Sequence, residues 1–550
     1  MAPIFCDRCG DAVEEEGDLL DELDELDALL ERLILKRCDL KRKINRVHSP
    51  VIVKLPPDVT STIFEFCLPD FTDNQLSPDT KEDLSIPLSL GAICSYWREI
   101  AWSTPKLWSS LVVRVPNKLD SHTVTGMTQE WLARSGDLPL SISILSESTS
   151  HNNEVSALAE IINQYSTRWS ELDLYLPDIY YPHFHAIDNH APTLKSIRFY
   201  CSYKLIDLNF KLTCPRLERA TLSDFLMDGA IDIQWDTLTH LTLHSMFVLD
   251  YLPVLGMTPR LVYCKVSGTP PYRSSEMIIG APVITSLRSL ELLITNHDAQ
   301  FFLNNVIAPH LEEFSFPNFY HPPEEGIGLI ASFLKRSACS LRSFSIMYRI
   351  FPPYLECFMD LLQSMSSLNT LSIISITTTT RYSNDIGSVD YDPRNILELV
   401  AKVLSSQSAS LKQGFLPNLQ VLEYNGKLNL PPDNYDELYP LPPTDNAVHG
   451  PLHLLKLDLH SANRIPKNMY SYLSSVVDRG VVVNVFSHSY DILQWSIDYY
   501  KSREESLSRD WTDDFDSDIF SWRLGYLKLK CKGKYMSTSR CGFLFFFGSF

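Results

Sequence analysis

The sequence predicts a mixed α/β chain: a solenoid of parallel strands and returning helices, preceded by a purely helical region. Three observations predict it. An apolar-x-x-apolar-x-apolar signature recurs between residues 169 and 459. Amphipathic helical stretches separate several of its occurrences. Upstream, from Leu19 to Trp108, the apolar residues keep helical spacing instead. At 550 residues the chain exceeds what one compact core organises, so several units are expected. A content of 45% hydrophobic and 21% charged residues is that of an ordinary globular protein. The expected units are 1–48, a leucine-heptad helix; 49–115, a helical module; 116–490, the solenoid; and 491–550, a poorly ordered tail.

The first unit begins with Cys6-Asp-Arg-Cys9, two thiols at zinc-knuckle spacing. A closed structural zinc site needs four ligands, and two are missing, so no metal is expected. Leu19, Leu26, Leu33, Leu40 and Val47 then occupy one seam of a heptad; Leu23, Leu30, Arg37 and Ile44 occupy the other. Alternating steps of three and four residues over four heptads are the coiled-coil signature. Charge is polarised along this helix, acidic from Asp18 to Asp27 and basic from Lys36 to Arg46, which complements the helix dipole. Two fates are open for the leucine stripe: packing on the adjoining helical module, or self-association in which acidic and basic halves meet antiparallel. Ser49-Pro50 ends the helix.

Leu55-Pro-Pro-Asp58 opens the second unit with prolines suited to a loop and a first helical turn. Val59, Ile63 and Phe66 fall at helical spacing, as do Leu90, Ile93, Trp97 and Ile100. Trp97, Trp102 and Trp108 lie within a dozen residues, a density that marks either a core or a docking face. Through Leu55-Pro56, Ile63-Phe64, Ile93-Cys94, Trp97-Arg98 and Pro105-Lys-Leu-Trp108 this stretch resembles an F-box, in the variant abundant in mushroom-forming fungi. Trp131-Leu-Ala-Arg-Ser-Gly136 and the short strand Pro139–Ile144 match the segment downstream of the box in that variant. The segment from Pro69 to Pro87 is longer than the family pattern. The resemblance implies an Skp-type adaptor as partner and, through it, a cullin of an SCF-type ubiquitin ligase. Leu55, Pro56, Ile63, Phe64, Ile93, Cys94 and Trp97 would form or support the adaptor-binding face.

Beyond Trp131 the strand signature takes over. It reads Trp169/Leu172/Leu174, Leu194/Ile197/Phe199, Leu217/Ala220/Leu222, Leu238/Leu241/Leu243 and Leu261/Cys264/Val266. It continues as Leu287/Leu290/Leu292, Leu311/Phe314/Phe316, Leu341/Phe344/Ile346, Leu368/Leu371/Ile373, Leu419/Leu422/Tyr424 and Leu454/Leu457/Leu459. Through Leu368 the shortest step between first positions is 217 to 238 and the longest 311 to 341, the period of leucine-rich repeats. Helical faces run through Val155/Leu158/Ile162, Phe358/Leu361/Leu362 and Val400/Val403, and a last helix and strand are expected at Met469–Val477 and Val481–Val485. The Asn or Cys that comes after the strand in leucine-rich repeats is missing, so the turns must be held in another way. Two polar or proline-rich loops, Thr377–Pro393 and Asn425–Pro451, interrupt the period. The closing stretch Cys541–Phe550 is apolar, too short to span a membrane and foreign to the rest, and reads as a gene-model artefact.

A net charge of −19 argues against a broad nucleic-acid or anionic-membrane surface. Twelve cysteines, scattered apart from Cys6 and Cys9, fit a reducing compartment, hence an intracellular protein of the cytoplasm or nucleus. No signal peptide and no membrane-spanning run is present. Gly326-Ile-Gly-Leu-Ile-Ala331 matches a nucleotide-binding fingerprint by letters only, because Pro322-Pro-Glu-Glu325 precedes it rather than a strand. His183, His185 and His190 read as a solvated loop rather than a metal site. No catalytic residue and no cofactor is expected. The role expected is substrate receptor of an SCF-type ligase; the alternative is a leucine-rich scaffold or regulator using its F-box outside a ligase. Candidate target contacts are Arg198, Arg288 and Arg342, which alternate with Glu218, Glu312 and Glu423, together with Tyr435 and Tyr439 in the proline-rich loop.

Overall fold

The computed structural model describes residues 14–507 apart from stretches between elements, the longest being 69–85, 269–281, 376–398, 404–414 and 427–450. The chain opens with one long helix, α1 (Glu14–His48). From residue 21 to 44 every side chain is exposed, and the apolar ones from Leu23 to Ile44 are between 46% and 63% exposed. The leucine stripe is therefore not covered by the helical module next to it, which removes one of its two possible fates.

Three short helices build that module: α2 (Pro57–Glu65), α3 (Ile86–Ile93) and α4 (Ser95–Ser103). Their shared core is Phe64, Leu90, Ile100, Ala101, Leu107 and Trp108. Cys94 caps α4, its sulfur accepting from the Trp97 amide at 3.5 Å. Arg98 ties the two helices together by donating from Nε to the Gly91 carbonyl at 2.9 Å. A side chain at Gly91 would place its Cβ 1.9 Å from the Trp102 ring, so only glycine lets the indole sit against α3.

The solenoid is a 15-stranded sheet whose strands are arranged in chain order, parallel until the final antiparallel pair at Phe486–Asp491 and Ser487–Tyr490. Its first strand, β1 (Ser110–Arg114), pairs with β2 (Leu140–Leu145). The boundary expected at residue 115 is thus corrected: β1 belongs to the sheet, and the module meets the solenoid at Trp108. Trp108, Leu111 and Val113 carry the same spacing as the later units, and all three are buried.

Strand register confirms the repeat. Leu172 pairs with Ile197 and Leu174 with Phe199; Leu241 pairs with Cys264 and Leu243 with Val266; Leu371 pairs with Leu422 and Ile373 with Tyr424. Stacking equivalent positions buries one continuous apolar core that no single unit could enclose. One unit is displaced. Leu455 pairs with Leu422 and Leu457 with Tyr424, so the eleventh unit is Leu452/Leu455/Leu457 rather than Leu454/Leu457/Leu459. Leu454 points away from the core and is only half-buried.

Backbone bonding at the start of several strands ties successive units together. The amide of the first apolar residue closes a turn on the carbonyl three residues back, as in Leu217 to Cys214, Leu261 to Thr258, Leu311 to Ala308 and Leu368 to Met365. The next residue's carbonyl then accepts two amides of the succeeding unit. Arg288 O accepts from Glu312 and Glu313, Glu312 O from Arg342 and Ser343, and Arg342 O from Asn369 and Thr370. Side chains just before the first apolar residue add to this: Thr237 donates to the Leu217 carbonyl at 2.8 Å, Ser286 to that of Leu261 at 3.0 Å and Ser367 to that of Leu341 at 2.8 Å, so backbone groups are satisfied from unit to unit.

At the far end, the helix Lys467–Asp478 and the strand Val482–Ser487 match the expected last unit. A further helix, Ile492–Leu507, lies inside the segment expected as a poorly ordered tail. Ile492, Ser496 and Tyr500 are buried. The Ser496 hydroxyl accepts from the Ile465 amide at 3.1 Å, and Tyr500 donates its hydroxyl to the Ile465 carbonyl at 2.9 Å. This helix caps the last unit, as repeat stacks require.

Candidate docking surfaces

Two surfaces are built by these elements. The first is the outer face of the helical module. Val59 and Ile63 on α2 and Phe66 just beyond its end lie one turn apart. This stripe faces outward: Ile63 is 45% and Phe66 85% exposed, while Thr60 and Phe64, the neighbouring stripe, are buried. Thr60 reaches the interior because its hydroxyl donates back to the Pro56 carbonyl at 3.1 Å, which satisfies it locally. On α3, Leu88 and Ile93 are exposed as well, Ile93 to 59%. Of the seven candidate adaptor residues, Ile63, Ile93 and Pro56 are therefore on the surface, and Leu55 and Cys94 are half-buried. Phe64 is interior, and Trp97 leans on it with ring centroids 4.9 Å apart. These two support the face from behind.

A tryptophan cluster joins this module to the solenoid. Trp108 packs edge-on against Trp102 at 5.3 Å and against Trp131 at 4.7 Å. Its indole N–H donates to the Ala101 carbonyl at 2.7 Å, and that of Trp131 to the Ser110 carbonyl at 3.1 Å. The Arg134 guanidinium lies 5.0 Å from the Trp102 ring and 4.8 Å from the Trp108 ring. Trp131 touches both cores, while Leu132 is buried in that of the solenoid. Ser135 donates to the Leu132 carbonyl at 2.6 Å and accepts from Arg168 at 2.7 Å. Gly136 adopts φ +57°, the left-handed conformation that turns the chain into β2. The Trp-Leu-x-Arg-Ser-Gly stretch is the joint between the two units, which the spacing alone did not reveal.

The second surface is the open side of the sheet, formed by the residues that alternate with the core positions. In the first half its charges are matched internally. Asp173 accepts from the Ser143 hydroxyl at 3.0 Å and lies 3.7 Å from Arg198. Glu171 accepts from Ser141 at 3.2 Å and lies 3.5 Å from Arg219. Glu291 accepts from Tyr263 at 3.1 Å and Lys265 at 2.9 Å. Burial and the neighbouring carboxylate of Glu291 push the Tyr263 phenol up, so it stays a donor. Burial, helped by Lys265, lowers the pKa of His244, whose Nδ1 contacts the Ser267 hydroxyl closely. Burial also raises the Cys264 thiol to about 12 and that of Cys214 to about 11, so neither supplies a thiolate near neutral pH.

Arg198 is therefore held by Asp173 in the middle of the sheet. Arg288 and Arg342 sit elsewhere, in the row just before the strands, exposed on either side of Glu312 at 3.9 and 3.7 Å. Tyr435 and Tyr439, most of both long loops, and Cys6 and Cys9 lie outside the described residues. Further along, the centre of the open face is neutral. Ser315 pairs with Ser345 and Ser345 with Ser372, beside Ser343 and Thr370. A serine between the second and third apolar positions of three successive units was the legible signal for this hydroxyl-lined stretch. Past it, charge returns as Glu423 and Lys456, 3.7 Å apart.

Gly326 and Gly328 lie within the helix Pro323–Ser337, so that sequence forms no phosphate-binding loop. His183 and His185 hold the Asn163 side chain, whose amide donates to the His183 carbonyl at 2.8 Å. Among the described residues no group of three or more His, Cys, Asp or Glu is placed to hold a metal ion, and no helix is long and apolar enough to cross a membrane.

No protein-family model matches the chain, and no curated protein matches it. Among solved structures, a chain from "Crystal structure of TLR13-ssRNA13 complex" is similar at 14% sequence identity with a TM-score of 0.32. The match covers 69% of this chain and 53% of that one, so this chain spans about half the length of the structure it resembles.

Proposed function

We propose that this chain is a substrate receptor of an SCF-type cullin-RING ubiquitin ligase, in which the helical module is an F-box that docks an Skp-type adaptor and the solenoid holds a target protein. The observation that carries this reading is the outward apolar stripe Val59, Ile63 and Phe66 on a module packed through Trp131 against a long repeat surface. An exposed stripe of this kind on so small a module fits a protein-docking face. The joint at Trp108 and Trp131 fits a receptor that must fix its target relative to the adaptor. The function is one of positioning; ubiquitin transfer belongs to other subunits. On the solenoid, the hydroxyl-lined stretch around Ser345 and the exposed Arg288 and Arg342, which flank Glu312 in a solvent-exposed row, are the surfaces offered to a target.

The test is purification of the full chain with its bound proteins, wild type against Ile63→Asp/Phe66→Asp. The wild type should carry adaptor and cullin, and the variant should lose both while keeping its circular dichroism and melting temperature. Burial of each large apolar side chain is worth roughly 1.5–3 kcal/mol, so adaptor affinity should fall by two decades or more. A folded variant that binds adaptor normally would sink the assignment. Adaptor without cullin would favour a scaffold working outside a ligase.

A further inference from the structure

The leucine stripe of α1 is a long apolar feature that nothing among the described residues covers. Leu23, Leu26, Leu30, Leu33, Leu40 and Ile44, with Arg37 filling the one gap, repeat at steps of three and four residues and are all exposed. The helix is also charge-polarised. From Asp21 to Glu31 every charged residue is acidic; from Arg32 to Lys43 all but Asp39 are basic. Asp39 pairs with Lys43 within the helix at 2.8 Å.

These two patterns share one centre. A second helix turned antiparallel about the Glu31–Arg32 junction sets Leu30 against Leu33, Leu23 against Leu40 and Leu26 against Arg37. Every described seam position then meets a seam position, as antiparallel knobs-into-holes packing requires. The same rotation lays the acidic half of each helix along the basic half of the other. It brings Glu22 beside Lys43 and Asp27 beside Lys41 on the flanks of the seam. A parallel arrangement would instead stack acid on acid and base on base. Hydrophobic register and charge register are independent properties of the sequence, and both select one alignment. We infer that the occupant of this stripe is a second copy of the chain, and that α1 forms an antiparallel two-helix coiled coil with it.

The inference does not depend on the adaptor reading, because it uses neither α2 nor α3. In the dimer the two helical modules leave opposite ends of the coiled coil, since each is attached to the C-terminus of its own α1. Two solenoids are thereby held apart on a common rod, so that a target carrying two copies of a recognised segment would bind bivalently.

The experiment is sedimentation velocity of the full chain over a concentration series, with charge-reversal variants. Wild type should be a dimer that weakens as salt is raised, since the flanking pairs are exposed. Glu22→Lys/Asp27→Lys and Lys41→Glu/Lys43→Glu should each be monomeric alone, and should form a one-to-one heterodimer when mixed. Leu30→Glu/Leu33→Glu, which charges the central layer, should weaken association by about a hundredfold or more with helical content kept. A wild-type chain that stays monomeric at roughly 100 micromolar overturns the proposal, since seams this long associate well below that. Tighter self-association of the Glu22→Lys/Asp27→Lys variant overturns the antiparallel orientation, because relief of acid-on-acid contact is the mark of a parallel pair. An unchanged dimer in the Leu30→Glu/Leu33→Glu variant places the contact elsewhere and overturns it too.

Discussion

Leu30 and Leu290 are the same side chain in two regions that treat it oppositely. Leu290 pairs across the sheet with Cys264 on one side and Phe314 on the other, and is sealed in the core. Leu30 sits on α1 with more than half its surface in water. Both regions are leucine-rich and regular, so composition does not separate them. The difference is a second layer. Each solenoid unit has a neighbour stacked on it by the chain itself. α1 has no neighbour over its stripe among the described residues, so the stripe stays open to a partner. The helical module lies between the extremes, with a closed core behind Phe64 and Trp108 and an open stripe at Ile63 and Phe66.

That contrast can be broken or sharpened by experiment. The largest effect is expected at the joint. Trp108 sits in the module core and packs on Trp131, which touches both cores, so Trp108→Ala should lower stability by about 3–5 kcal/mol in chemical denaturation. It should also split one unfolding transition into two, as the module loses its anchor. A single unshifted transition would mean that the two units are energetically separate. Next comes the direct comparison: Leu290→Ala should cost about 2–5 kcal/mol, whereas Leu30→Ala should change the melting of the solenoid by no more than about 0.5 kcal/mol. Equal effects would show that α1 packs on the chain after all.

A smaller effect is expected from the paired charges of the open face. Arg198→Ala removes the cation 3.7 Å from the buried Asp173 carboxylate and should cost about 1–3 kcal/mol. Arg342→Ala, at an exposed pair, should cost less than about 1 kcal/mol. Comparable losses at the two positions would argue that the first-half pairs are no more structural than the exposed row.

The smallest effect is a pH dependence. Burial holds His244 below its ordinary pKa of about 6.5. The unfolded chain therefore takes up its proton first as pH falls. The contribution of His244 to stability is complete above that value and declines below it. Melting temperature should accordingly fall less steeply between about pH 7 and pH 5 in His244→Asn than in the wild type. Parallel curves would show that the imidazole titrates alike in both states.

The sequence by itself determined the parts that depend on local pattern. The period of the strands, the helical faces between them, the heptad of α1 and the polarity of its charge all come from residue spacing, because side-chain direction is fixed by helical or strand periodicity. Three decisions were left to the tertiary structure. On α2 two stripes were available, Val59/Ile63/Phe66 and Thr60/Phe64, and the more apolar one was not buried. Which stripe turns inward depends on where α4 lies, and Phe64 is the one that meets Trp97. Near residue 455, leucines at 452, 454, 455, 457 and 459 satisfy the strand signature in two frames. A slip of two residues preserves the alternation of faces, so only hydrogen bonding to the preceding strand chose Leu452/Leu455/Leu457. Trp108 closes the helical module in the sequence and opens the solenoid in space. Its link to the solenoid core runs through Trp131, more than twenty residues away, whose ring packs on it and on that core. Spacing records which side chains need cover; the assembled layers decide what covers them.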